Sequence, residues 1–159
     1  MRTRHLPVDW PVAWLFAEPR LGEALWIALD RLPRGAGVVF GHVDLAPAAR
    51  RRLFARVALV AARRRLVLVD SRDPRIAKAH DRAEIVAARR RGACLVFVSP
   101  VFATASHPGA PVLGRVRYGL MVRGAGVPVA ALGGMTARRF ETLRPLGAVA
   151  WGAIDAWTG

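Results

Sequence analysis

The sequence predicts an α/β fold in which parallel strands alternate with helices along one domain spanning residues 1–159. Three observations carry the prediction. Short apolar runs recur without the polar alternation of a half-exposed strand. Stretches with helical spacing of apolar residues lie between them. The connections are short, with no spacer, low-complexity tract or repeat.

VAWLF at 12–16 is the first strand, and EALWIALDRL after Gly22 is a helix because Leu25, Leu29 and Leu32 keep helical spacing. Pro33, Gly35 and Gly37 break it before GVVF at 37–40, the second strand. Residues 47–64 predict a helix with Leu53, Val57 and Val60 on one face and Arg51, Arg52 and Arg56 opposite or flanking. LVLVD at 66–70 is a third strand, apolar throughout and so expected to be covered on both faces. A helix over 80–91 keeps Ile85 inward and leads to the strand CLVFVS. Residues 114–124 are helical, VPVAAL at 127–132 is a strand, Thr136 caps a helix over 136–145, and the last strand covers roughly 148–152.

A chain of 159 residues can bury most of its apolar surface. No apolar run reaches the roughly 18 residues a membrane span needs, and MRTRHLPVDWP lacks the apolar core of a signal peptide. The one cysteine, Cys94, reads as a small core residue in a reducing compartment. Together these predict a cytoplasmic protein without a membrane partner. The net charge of +14 is almost all arginine, Lys78 being the sole lysine, with clusters at 50–52, 63–65 and 89–91 within or at the ends of predicted helices. Aromatics do not interleave with these clusters as a single-strand nucleic-acid platform requires. The clusters therefore read as helix exteriors, some near C-termini where cations suit the dipole. The charge would still attract phosphorylated substrates. There is no G-x-S-x-G elbow and no H-E-x-x-H, and one cysteine excludes a thiolate zinc cluster.

The last third carries the functional signal. LVFVSPVFATASHPGAP, VPVAALGGMT and GAVAWGAIDAW each end in small or hydroxyl residues, as parallel strands do when they deliver backbone amides to a phosphate. The Gly-Ala-Gly runs at 35–37 and 124–126 precede strands instead of opening helices, so neither is a dinucleotide fingerprint. Gly133-Gly134 and Gly152-Ala153 match the phosphate site that a TIM-type β/α barrel builds after its last two strands, which favours a barrel over an open sheet. Each glycine alone is equally a tight-turn residue; the ensemble points to phosphate.

In order and spacing these three motifs resemble the thiamine phosphate synthase superfamily, which includes thiazole tautomerases; Leu15 to Val43 is a weaker match. The resemblance implies a β/α barrel enzyme that joins a thiazole phosphate to a pyrimidine pyrophosphate, releasing pyrophosphate with the help of Mg2+. It implies substrate binding by Gly133, Gly134, Gly152 and Ala153, hydroxyls from Thr104 and Ser106, and Asp70 as a magnesium ligand. Asp70 is equally a turn residue opening the SRDP segment. His107 stands where a lysine is common. Gly41 replaces an expected arginine, leaving His42 as the nearby donor. Tautomerases of the superfamily place a histidine at Pro100, so that chemistry would need His80 or His107 instead. The candidate catalytic groups are therefore His42, His80 and His107.

Only nine residues separate Asp70 from His80, far fewer than in the family. This implies a shortened barrel of about six strands instead of eight, with RIAKAH the only segment able to supply a vestigial strand. The total length supports the same deletion, since such barrels customarily need about 200 residues. Losing a strand pair leaves edges or a smaller circumference, which makes a homo-oligomer plausible. Three functions stay open: a synthase-type transferase, a tautomerase-like isomerase, and a noncatalytic phosphate-ligand binder.

Overall fold

A computed structural model describes residues 10–105 and 108–159. The chain divides into two compact units: an N-terminal one of Pro11–Ser71 with Ile154–Gly159, and a C-terminal one containing Trp10 and Arg72–Ala153.

In the N-terminal unit, β1 (Ala13–Ala17), α1 (Ala24–Arg31), β2 (Gly37–Phe40), α2 (Pro47–Arg64) and β3 (Val67–Asp70) follow one another. The strands are parallel in the order β3-β2-β1, aligning Trp14 with Gly37 and Gly37 with Val67. This register has a steric cause. A Cβ on Gly37 would lie 2.5 Å from Trp14 Cζ3, so only glycine admits the fully buried indole, whose Nε1 donates to the Pro11 carbonyl at 2.6 Å. Leu25 and Leu29 of α1 join Val57 and Ala61 of α2 in a core with Leu15, Val38 and Phe40. Proline suits the first helical position of α2, where no amide is needed, and Arg65 closes the helix in the left-handed region at φ 56°.

The bounds of β2 and α2 are those the sequence predicts. β3 differs. Val67 is 38% exposed and Leu68 half-buried, because β3 ends the strand order and its face is not fully covered. Some arginines also do more than decorate helix exteriors. Arg64 donates to the carbonyls of Asp30 and Leu32 at the C-terminal end of α1, the latter at 3.1 Å.

The C-terminal unit contains β4 (Ile76–Ala79), α3 (Arg82–Arg90), β5 (Leu95–Val98), α4 (Gly114–Val122), β6 (Val129–Leu132), α5 (Ala137–Leu143) and β7 (Ala148–Ala153). Its strands are parallel in the order β7-β6-β5-β4. The described residues thus hold seven strands where about six were expected, the further one being the strand that RIAKAH was able to supply. The RIAKAH segment forms β4, which pairs residue for residue with Leu95–Val98, while the Cys94 and Leu95 amides donate to the Arg75 carbonyl at 2.7 and 3.1 Å. Every residue of β5 and β6 is buried, as parallel strands covered on both faces require. Cys94 is half-buried, outside the fully covered core.

Two helix starts are capped as their sequences direct. Asp81 accepts from the Glu84 amide at 2.8 Å, and Thr136 Oγ1 from the Arg139 amide at 3.2 Å. Ile85 is fully buried, the inward position its spacing predicts. Among the described residues no helix is long and apolar enough to cross a membrane.

Two substitutions test this packing. Gly37→Ala should cost about 1–3 kcal/mol in urea unfolding, because the Trp14 ring must move. Tyr118 is fully buried on α4 with no partner for its hydroxyl among the described residues, and burial raises its pKa above the ordinary value. Tyr118→Phe should therefore leave the thermal midpoint unchanged or raise it.

Candidate functional site

The C-terminal unit builds its site from the ends of β5 and β6. After β5 the chain passes through a cis Ser99–Pro100 peptide. The next amides tie it to the end of β6, Val101 to the Leu132 carbonyl at 2.9 Å and Phe102 to the Gly133 carbonyl at 3.1 Å. The start of α4 returns to the same loop through the Leu113 and Gly114 amides, which donate to Pro100 and Val101 at 3.0 and 2.9 Å.

Gly133 and Gly134 have φ of 95° and 60°, where side chains are rarely tolerated. A Cβ on Gly133 would lie 2.8 Å from Pro100 Cα. One on Gly134 would overlap the Ala103 carbonyl and sit 3.0 Å from Phe102 Cβ. The glycines expected to make room for a phosphate first admit the chain's own loop. Pro100, the position where tautomerases carry histidine, packs directly against this turn. Gly152 and Ala153 are the last two residues of β7, which runs one residue beyond its predicted end. The pairing puts Gly152 opposite Leu132, beside the glycine turn.

Thr104 is half-buried in the loop that follows Pro100, while Ser106 and His107 lie outside the described residues. His80 follows β4 and is largely exposed; its amide and ring Nδ1 both meet Glu84 Oε2, at 2.6 and 3.1 Å. This engages His80 in the start of α3.

Arg139, which sequence reasoning missed, donates to the Gly134 carbonyl and lies 4.8 Å from the Phe102 ring centroid. It occupies the third position of α5, where a cation opposes the helix dipole, so these contacts hold it there. The available signal was T-x-x-R where a capping box would have glutamate or glutamine.

In the N-terminal unit, β2 and β3 deliver His42 and Asp70. The Ser71 amide donates to the Phe40 carbonyl at 3.0 Å, bringing the two strand ends side by side. Arg50, from the first turns of α2, forks onto Asp70, with Nη1 to Oδ2 at 2.7 Å and Nη2 to Oδ1 at 3.0 Å. Its Nε donates to the His42 carbonyl at 3.0 Å, and its guanidinium lies 5.0 Å from the Phe40 ring centroid.

This arrangement bears on magnesium. Mg2+ takes oxygen ligands in near-octahedral geometry, and Arg50 engages both oxygens of Asp70. Among the described residues no group of three His, Cys, Asp or Glu side chains could hold a metal ion. The residues at Asp70 do not fit the ion.

His42 is 7% exposed, and neither its Nε2 nor Ser71 Oγ has a hydrogen-bond partner among the described residues. Burial lowers the His42 pKa below its ordinary 6.5; Glu18 opposes that shift and Arg50 adds to it. Between the lowered folded value and 6.5 the unfolded chain binds more protons, so the His42 contribution favours folding at neutral pH and weakens as pH falls through this window.

Wild type should therefore lose more stability than His42→Phe on going from neutral pH to below 6.5 in urea titrations. Gly134→Ala should destabilise the chain by about 2–4 kcal/mol, combining a left-handed backbone with a backbone clash.

Comparisons with known proteins extend the reading. Thiamine phosphate pyrophosphorylase from Pyrococcus furiosus superposes with a TM-score of 0.73 at 14% identity, covering 93% of this chain and 87% of that one. A FabK mutant (M276A) from Thermotoga maritima superposes at 0.56 with 15% identity, covering 96% of this chain but 63% of the other. The first likeness identifies the fold as α/β, a shortened TIM-type barrel arrangement. No curated protein sequence matches the chain. The family model described as thiamine monophosphate synthase matches residues 77–156, which is 80 of the 159 residues. The chain belongs to the thiamine monophosphate synthase family.

Proposed function

We propose that the chain is a thiamine phosphate synthase-like transferase, acting on a thiazole phosphate and a pyrimidine pyrophosphate in thiamine biosynthesis. The observation that carries this reading is the Gly133–Gly134 turn, held against the Pro100–Ala103 loop inside the span the family model matches. In the reaction the carbon–oxygen bond to pyrophosphate breaks, and both electrons leave with the oxygen. The thiazole nitrogen then donates its lone pair to the pyrimidine carbon. Such chemistry asks for orientation and charge stabilisation more than for proton transfer.

On this reading the glycine turn and the adjoining Gly152 and Ala153 approach the thiazole phosphate through backbone. Thr104 and Ser106 supply hydroxyls, and His107 supplies a titratable cation in place of lysine. Arg139 fixes the turn through the Gly134 carbonyl. Glu84 engages His80 Nδ1 and so orients its ring.

One observation favours a second reading, a phosphate-ligand binder without turnover. Arg50 closes off Asp70, the residue the family resemblance assigns to magnesium at the leaving group.

Purified protein mixed with both phosphorylated substrates should yield thiamine phosphate. Thr104→Val should lower kcat/KM about tenfold or more, the scale of one charge-assisted hydrogen bond of ~1.5–3 kcal/mol. Saturable binding of thiazole phosphate by calorimetry with no product at high enzyme would select the binder. No binding at all would remove both readings.

A further inference from the structure

We propose that Arg50 occupies the place of a divalent cation at the strand ends of the N-terminal unit, making Asp70 the counter-ion of a built-in guanidinium and this end of the protein independent of magnesium. The inference goes beyond the transferase reading and does not depend on which substrate is bound.

The guanidinium is anchored on three sides: by the Asp70 fork, by the His42 carbonyl and by the Phe40 ring. A fork pairing is directional, and both carboxylate oxygens accept from it. An incoming ion would have to displace the fork and leave a positive charge behind in a side chain only 12% exposed. Asp70 is itself 31% exposed, so the pair is part-shielded from water at both ends.

Helix preference does not explain Arg50. It lies in the first turns of α2, where a cation opposes the dipole and carboxylates are favoured. Its tertiary partners account for its position. The neighbouring groups could serve a metal only once the guanidinium were gone. His42 and Ser71 add one ring nitrogen and one hydroxyl beside the pair, and Glu18 approaches Gly41 from the end of β1, where a Cβ would meet its Oε1 at 3.6 Å. With the guanidinium in place, these groups form no set able to hold an ion among the described residues.

The test uses the full chain and Mn2+ as a spectroscopic stand-in for Mg2+. Electron paramagnetic resonance of free Mn2+ should show no saturable site on wild type that depends on Asp70, and the thermal midpoint should be the same in Mg2+ and in EDTA. Arg50→Met, which keeps a stem over Phe40, should gain a saturable Mn2+ site. Adding Asp70→Asn should abolish it. Circular dichroism checks that each variant folds.

A wild-type Mn2+ site lost in Asp70→Asn would overturn the proposal without needing any Arg50 variant. A folded Arg50→Met protein that gains no site would overturn it as well, since Arg50 would then not be what excludes the ion. Neither readout needs turnover, so an inactive protein leaves this result interpretable.

Discussion

The turn after β6 and the loop after β5 approach each other with backbone against backbone, and the rest of the C-terminal site depends on that approach. The loop gains amide hydrogen bonds to Leu132 and Gly133, and in return residues 133 and 134 cannot carry a Cβ. Two residues with positive φ in a row reverse the chain within a space that L side chains could not enter. From this one constraint follow the position of Thr104, the packing of Pro100 on the turn and the seat of Arg139 on the Gly134 carbonyl. This corner lies within residues 77–156, the span the family model matches.

The large arginine excess divides into distinct physical roles. Arg64 and Arg50 reach from α2 to carbonyls or a carboxylate and act as tertiary ties. Arg56 lies 4.5 Å from the Trp26 ring centroid, covering an aromatic surface. Other arginines remain exposed on α2, among them Arg51, Arg52 and Arg63. A guanidinium can do all of this because it pairs with planar acceptors, stacks on rings and is weakly hydrated; a single-lysine composition suits such uses. The charge still biases phosphorylated molecules toward the surface.

The two units stand differently toward the family. The C-terminal unit contains most of the matched span and carries the glycine turn. The N-terminal unit lies mostly outside that span, and there Asp70, the residue expected to serve magnesium, forms an ion pair with Arg50. Buried His42 Nε2 and Ser71 Oγ, without partners among the described residues, are costs at the same strand ends, since unpartnered polar atoms destabilise a folded chain.

What the sequence determined by itself was local. Apolar runs of four or five residues became strands, Leu25 and Leu29 set the inner face of α1, Val57 that of α2, and Thr136 capped its helix, because propensity, period and capping act within a few residues. The glycine turn was also legible, since paired glycines after a buried strand have few other uses. The existence of β4 was visible only as a possibility: IAKA has little strand character until Leu95–Val98 offers it a ladder. Tertiary structure alone decided that β3 would be partly open, that Arg139 would sit on the glycine turn, and that Arg50 would claim Asp70 from twenty residues away. Hydrogen-bond geometry and partnership depend on where distant backbone segments come to rest, and a linear pattern of residue types does not encode that directly.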